Sequence, residues 1–406
     1  MERTIYREIG LTRGVKVLAA VLALVLLAAL WGVVYVEEEG HIVTGMNNQI
    51  VWGTPHVFAI FLIVAASGAL NVASIASVFG KASYKPMARL SALLAIALLV
   101  GGLAVLVLDL GRADRLIVAM TKFNFTSIFT WNIFLYTGFI GIAALYLYVQ
   151  MARGMPARYV QAAGMLAFLW RLALTTGTGS IFGWLVARPA YDAAIMAPLF
   201  IAMSFAFGLA VFILALAGLF WLSQRALGPL LIRRLGRLLA IFAAVVLYFT
   251  AVQHLTNLYA AEHAGIERFI LRDGGIYTAL FWGGQVLIGG LLPIGLIFHP
   301  RLGARAATVH LAAGLVILGG FAQLYVIIVG GQAYPLEIFP GYAASSSFFD
   351  GSVNAYSPSL PEISLGLGGV ALALAITVLG VKILRILPTN LSDANVAVQA
   401  GAPKPA

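Results

Sequence analysis

A histidine, a carboxylate and an amide stand at the edges of long apolar runs in the first third of the chain. They are His56 in WGTPHVFAIF, Asp109 in LVLDLGRADR and Asn132 in FTWNIF. An imidazole beside a carboxylate can take up a proton and hand it on, and an amide can hydrogen-bond a carbonyl oxygen. Trp52 and Trp131 lie a few residues away in sequence and can offer flat faces to a ring. His254 ends a later apolar run, close to Asn257, Tyr259 and Glu262. No nucleophile constellation, phosphate loop or metal-ligand spacing accompanies these groups. The stretch GTGSIFG, Gly177 to Gly183, is glycine-rich but follows no strand and lies in an apolar run, where helix packing or a local break accounts for it.

The elements that must position these groups are membrane helices. Of 406 residues, 62% are hydrophobic and 10% charged, whereas a soluble domain carries roughly a quarter charged residues. Runs of about 20 apolar residues, enough to cross a bilayer, recur along the chain. They predict ten helices, over 14–36, 55–79, 87–110, 127–151, 157–186, 191–222, 234–259, 275–298, 306–330 and 362–386, and hence an all-α integral membrane protein. No small-residue cleavage site follows the first run, so it reads as a retained helix.

Placing the N-terminus in the cytoplasm puts 18 of 25 Lys and Arg on the cytoplasmic side and 6 on the other, with Arg171 inside a helix. The acids run the opposite way, 12 of 15 falling outside. The positive-inside rule therefore predicts a multi-pass protein of a bacterial inner membrane with both termini cytoplasmic. The net charge of +10 follows from topology and is no nucleic-acid signal. The chain has no cysteine, which excludes disulfides and iron–sulfur clusters bound by its own thiolates.

Under this topology His56, Asp109, Trp131, Asn132, Arg188, Tyr191, Asp192, His254 and Asn257 all gather toward the outer side. Ionisable groups in a bilayer are costly and mark sites, so the pattern points to a pocket near the outer interface. Arg171, deep in LAFLWRLALTTGTGS, calls for an internal partner, with Asp109 and Asp192 as candidates. Asn71, Arg171, Thr175, Thr176 and Gln285 are expected to form a proton path. The loop 331–361 is expected to pack as an outer cap through Phe339, Tyr342, Phe348, Phe349 and Tyr356, beside the loop 37–54, and to dock a partner. A quinone suits such a pocket: apolar walls for ring and tail, hydrogen bonds for the carbonyls, and His56 with Asp109 as proton relay. Two other readings use the same groups: a b-type cytochrome with one haem between His56 and His254, and a secondary transporter with the cluster as a solute site.

The segments WGTPHVFAIFLIVAASGALNVAS, VLDLGRADR, SIFTWNIFLYTGF and ARPAYDAAIMAPLFIAMSFAFGLA occur in this order and resemble successive helices of the NrfD/PsrC family of membrane subunits. GMNNQIVWGTPHVFAIFLIVAASGALNVASIASVFGK and GGQAYPLEIFPGY resemble its DsrP branch, from the DsrMKJOP complexes of dissimilatory sulfur metabolism. The resemblance implies an eight-helix core over 55–330, built as two four-helix bundles from helices two to five and six to nine. An N-terminal helix and loop (1–54), a periplasmic loop (331–361) and a C-terminal helix with its tail (362–406) flank this core. It implies no metal or haem of the chain's own. It implies a quinone, ubiquinone or menaquinone, held near the periplasmic face by Trp52, His56, Asp109, Trp131, Asn132 and His254, with His56 and Asp109 catalytic. It also implies a periplasmic iron–sulfur partner of DsrO type and further partners of DsrM, DsrK and DsrJ type. At YDAAIMAP the chain departs from the family, carrying Asp192 where an aromatic or neutral residue is usual.

Overall fold

The structure, a computed structural model, describes residues 4–336 and 351–394. Ten helices among these residues are long and apolar enough to span a membrane: α1 (Arg13–Glu39), α2 (Thr54–Ser77), α3 (Ala82–Leu108), α4 (Ile128–Met151), α5 (Ala157–Gly183), α6 (Met196–Leu222), α7 (Pro229–Tyr259), α8 (Ile276–Phe298), α9 (Ala306–Ala333) and α10 (Leu360–Ile383). The protein is an all-α membrane protein. The differences from the expected spans have local causes. Helix α1 runs on to Glu39, so Glu37, Glu38 and Glu39 form its exposed last turn. Pro229 opens α7, where a missing N–H costs nothing and the ring presets the helical φ. Helix α6 starts only at Met196, and the residues before it form turns that bury Tyr191.

Helices α2–α5 pack as one four-helix group and α6–α9 as a second, while α1 pairs with α10, and α10 lies against α2 and α3. The seam between the groups is the contact of α2 with α6. There Gly68 and Gly208 face each other so closely that a methyl at either would overlap the partner's backbone. Lipid tails are as apolar as leucine, so such helices are held by close backbone approach and packing rather than by hydrophobic burial. Phe61 carries the seam on, stacking on Phe207 of α6 at 5.2 Å and Phe321 of α9 at 4.2 Å.

The segments 5–9 and 384–391 meet at one end of the bundle, called here the terminal end. Tyr6 bridges to Pro388, and a parallel two-stranded contact joins β1 (Ala226–Leu227) to β2 (Asn390–Leu391). The Arg225 guanidinium donates to the carbonyls of Arg7, Glu8, Leu387 and Pro388. His56, Asp109 and His254 lie at the opposite, distal end.

Candidate functional site

Asp109 closes α3 and His56 sits in the first turn of α2, and the antiparallel contact of these helices brings them together. His56 Nδ1 lies 2.9 Å from Asp109 Oδ2. The approach is bent away from a good hydrogen bond, and neither atom has another protein partner. The carboxylate side chain is 4% exposed and the imidazole 20%. His41 Nε2 lies 3.1 Å from the Asp109 carbonyl, to which it donates, and so pins the end of α3.

Aromatic rings wall this pair. Trp52 stacks on His56 at 6.1 Å and on Tyr191 at 6.1 Å, and it meets Phe129 and Phe182 edge-on at 6.2 and 6.0 Å. Tyr191 is fully enclosed and donates to the Ile328 carbonyl at 2.7 Å. Burial pushes its phenol well above the usual range, so it stays a neutral donor.

The loop between α1 and α2 is laced over this end. The Gln332 amide accepts from Val51 N and Trp52 N and donates to Trp52 O, which fixes the backbone that carries the indole. Arg188 donates to Gln332 O and Gln49 O, and Gln49 itself donates to the Gln332 carbonyl. Burial lowers the pKa of Arg188, but the guanidinium remains charged at any physiological pH. Glu362, buried at the start of α10, accepts from Gly45 N at 2.7 Å and Ser359 N at 2.8 Å. Tyr356 Oη stands 2.5 Å from Glu362 Oε1 and accepts from Thr54 N at 2.6 Å. Burial and the neighbouring carboxylate hold the Tyr356 phenol protonated. Tyr356 thus joins α10 to the start of α2, two residues before His56. Phe339, Tyr342, Phe348 and Phe349, the other aromatics expected in the cap, lie outside the described residues.

A second histidine–carboxylate pair occupies the other bundle at the same end. His254 Nδ1 lies 2.6 Å from Glu267 Oε2, and Asn257 Nδ2 donates to Glu267 Oε1 at 2.8 Å. Glu267 is 2% exposed and lies in the connector between α7 and α8, a position that marks no apolar run and escaped the sequence reading. Its signal was the polar stripe facing it: Thr250, Gln253, His254 and Asn257 recur at helical spacing on α7.

The expected site residues therefore divide. Trp52, His56 and Asp109 come together. Trp131 does not join them: its indole is 48% exposed, donates to Phe125 O and packs on the Phe125 ring. Phe129 takes the place expected for it, because positions two apart on a helix point about 200° apart. Asn132 is buried near by and spends its NH2 on Ile128 O and Gly177 O, leaving its Oδ1 without a protein partner. His254 belongs to the second bundle. On the expected proton path, Asn71, Arg171 and Thr175 are buried in the first bundle and Gln285 in the second. Thr176 faces outward and bonds its own helix at Leu172 O.

Neither acid named as a partner serves Arg171. Asp109 is bound to His56 and Asp192 is exposed. The guanidinium is fully buried between the rings of Phe168 and Phe205, at 4.8 and 4.7 Å, and none of its nitrogens has a hydrogen-bond partner. Its carbonyl accepts from Ser67 Oγ, which also meets Thr175 Oγ1 at 2.8 Å.

Comparison with known proteins matches the family model "Polysulphide reductase, NrfD" to residues 42–335. The chain is 30% identical over 377 residues to the Hdr-like menaquinol oxidoreductase integral membrane subunit of Archaeoglobus fulgidus, covering 92% of this chain and 94% of that protein. It is 28% identical over 418 residues to a candidate membrane subunit of dimethyl sulfoxide reductase from Halobacterium salinarum, covering 94% and 93%. It is 21% identical over 390 residues to a subunit of selenate reductase from Mesobacillus selenatarsenatis, covering 86% and 89%. With the family model spanning α2 to α9, both bundles included, the chain belongs to the polysulphide reductase NrfD family.

Proposed function

We propose that this chain is the quinone-reactive membrane subunit of a multi-subunit electron-transfer complex. The observation that carries the reading is the His56–Asp109 pair under the ring of Trp52, Phe129, Phe182 and Tyr191. A quinone needs a flat apolar slot, a donor for its carbonyl and a route for the two protons that accompany two electrons. His56 presents Nε2 to the carbonyl while Asp109 steadies Nδ1, so the imidazole can give up or accept a proton without leaving a bare charge. The bent, incompletely bonded contact leaves both groups with capacity for a ligand. A quinone supplies the redox chemistry, and the residues of this chain bind, orient and exchange protons with it. The name of the Archaeoglobus relative supports a menaquinone-type ring.

The electrons are exchanged with a partner, since thiolate ligation of a cluster is closed to a chain without cysteine. The partner we propose is an extracytoplasmic iron–sulfur subunit docked on the distal end, with the termini in the cytoplasm, as the Lys and Arg asymmetry supports. The narrower reading, a DsrP-type subunit of sulfur metabolism with DsrO, DsrM, DsrK and DsrJ-type partners, rests on the resemblance of residues 45–81 and 330–342. The two imidazoles sit in different bundles, each bound to its own carboxylate, which favours the quinone over one haem shared between them.

The test is electron transfer between a quinol analogue and the partner's clusters in the intact complex. His56→Ala and Asp109→Asn are each expected to slow it at least about 100-fold, the scale of a lost proton-transfer group, with the complex still assembled. Wild-type rates in both variants would sink the assignment. The orientation is tested with Val353→Cys, an exposed position in a cysteine-free chain, which should react with an impermeant thiol reagent added from outside.

A further inference from the structure

The second bundle holds a partly open cavity of about 30 Å3, bordered by Gln253, His254, Asn257, Glu267, Gln285 and Gln323. One water needs about 10–15 Å3 of such space, so the cavity has room for one or two water-sized species. A small, water-sized species fits it.

The hydrogen bonds around the cavity fix its polarity. Gln285 and Gln323 both donate their NH2 to Thr250 Oγ1, at 3.2 and 3.3 Å. Asn257 donates its NH2 to Glu267. Each of the three amides thus commits its NH2 to one protein acceptor, and among the described residues no protein donor reaches Gln285 Oε1, Gln323 Oε1 or Asn257 Oδ1. All three are among the cavity-lining residues, together with the carboxylate of Glu267. The lining is rich in acceptors and carries one acid. Helices α8 and α9 contribute amides, the residues bordering it from before and within α6 are Ala190 and Met196, and the ionisable groups on its wall are His254 and Glu267.

The backbone is wide at this point. The π-helical turns at Phe269–Asp273, Leu280–Leu291 and Val326–Gly330 lie beside Glu267, around Gln285 and just past Gln323. Such turns insert an extra residue per turn, re-aim side chains and concentrate at functional sites. Among the described residues no three His, Cys, Asp or Glu converge, so the donor set is carbonyl oxygens around one carboxylate.

We infer that the second bundle holds a binding site for one small monovalent cation, a hydrated proton or a sodium ion. Glu267 supplies the charge, Gln285, Gln323 and Asn257 supply neutral oxygens, and His254 holds the carboxylate in place. Such oxygens replace a cation's hydration shell, as carbonyls do in ion filters and transporter sites. The site is independent of the His56–Asp109 pair and the rings around it, which carry the quinone reading.

The experiment is carbodiimide labelling of the full chain in lipid nanodiscs, without quinone or partner, mapped by mass spectrometry. Dicyclohexylcarbodiimide reacts with a protonated carboxyl in an apolar setting, so Glu267 should be modified. In the sodium case, added sodium chloride protects Glu267 at least tenfold relative to choline chloride, while Asp109 in the same sample is unaffected. In the proton case, labelling follows pH and ignores sodium. In either case the single variants Gln285→Leu and Gln323→Leu, with helix content checked by circular dichroism, change the sodium or pH dependence of Glu267 labelling by at least tenfold in concentration. An unreactive Glu267, labelling indifferent to both cations, or a dependence unchanged in both glutamine variants overturns the inference. Because no quinone takes part, such a failure leaves the function proposed above standing.

Discussion

The two bundles each carry a histidine–carboxylate pair at the same end, and the pairs are built in opposite ways. Glu267 has both oxygens bonded, by His254 and Asn257, in a pocket lined with amides. Asp109 meets His56 at a poor angle, with its Oδ2 unsatisfied, under a set of aromatic rings. A buried polar group left half-bonded costs stability, whereas a satisfied one contributes to it. The difference separates a carboxylate that the protein holds firmly in place beside a small polar cavity from one left half-bonded under flat rings. The surroundings agree: flat rings face the open pair, and a space for a small species faces the closed one.

The comparison breaks most sharply on stability. Glu267→Ala should cost about 2–3 kcal/mol, because His254 and Asn257 both lose their buried partner, while Asp109→Asn should cost about 1 kcal/mol or less. Thermal unfolding of the purified chain in one detergent measures both, and equal losses would remove the distinction. Next in size, Trp52→Ala should weaken quinone binding about tenfold, or about 1.4 kcal/mol, by removing the ring that covers His56. Titration with a fluorescent quinone analogue reads this directly, and an unchanged affinity would move the ring slot elsewhere. Tyr356→Phe should cost about 1 kcal/mol and raise amide exchange around Thr54, since it deletes one link between α10 and the open pair. Smallest of all, Trp131→Phe should leave quinone affinity within about twofold, because its indole points away from Trp52. A tenfold loss there would show that Trp131 and not Phe129 faces the ligand.

How far these features could be read from sequence depended on what each one leaves in the chain. The ten spans were legible because bilayer thickness imposes a run length that nothing else in a protein requires. His56 and Asp109 were legible as a pair because each marks the distal edge of its own run. Trp131 was misplaced because its depth was right and its helical phase was not: depth follows from distance along the run, but phase needs the neighbouring helix. Glu267 was missed because connectors have no depth signal, although the stripe Thr250, Gln253, His254, Asn257 announced a polar partner. Arg171 was expected to have an acid and has aromatic faces instead, a partner that leaves no charge to look for.

The joining of the segments 5–9 and 384–391 has a consequence in time. Glu8 and Arg385 are in contact although 377 residues separate them, and α1 has its main packing partner in α10. At about 5–20 residues per second, synthesis leaves α1 waiting tens of seconds in the lipid before α10 emerges. The wait is tolerable because the face it keeps for α10, including Ala29 and Gly32, is small and apolar and is no less soluble in lipid than against a helix. When α10 arrives it meets α1 at Gly368 and α3 at Gly369 and brings Glu362 and Tyr356 to the start of α2. Helix α10 thus sets the shape of the distal end, so a chain cut short before it would insert nine helices and still lack the contacts that hold the start of α2 beside His56.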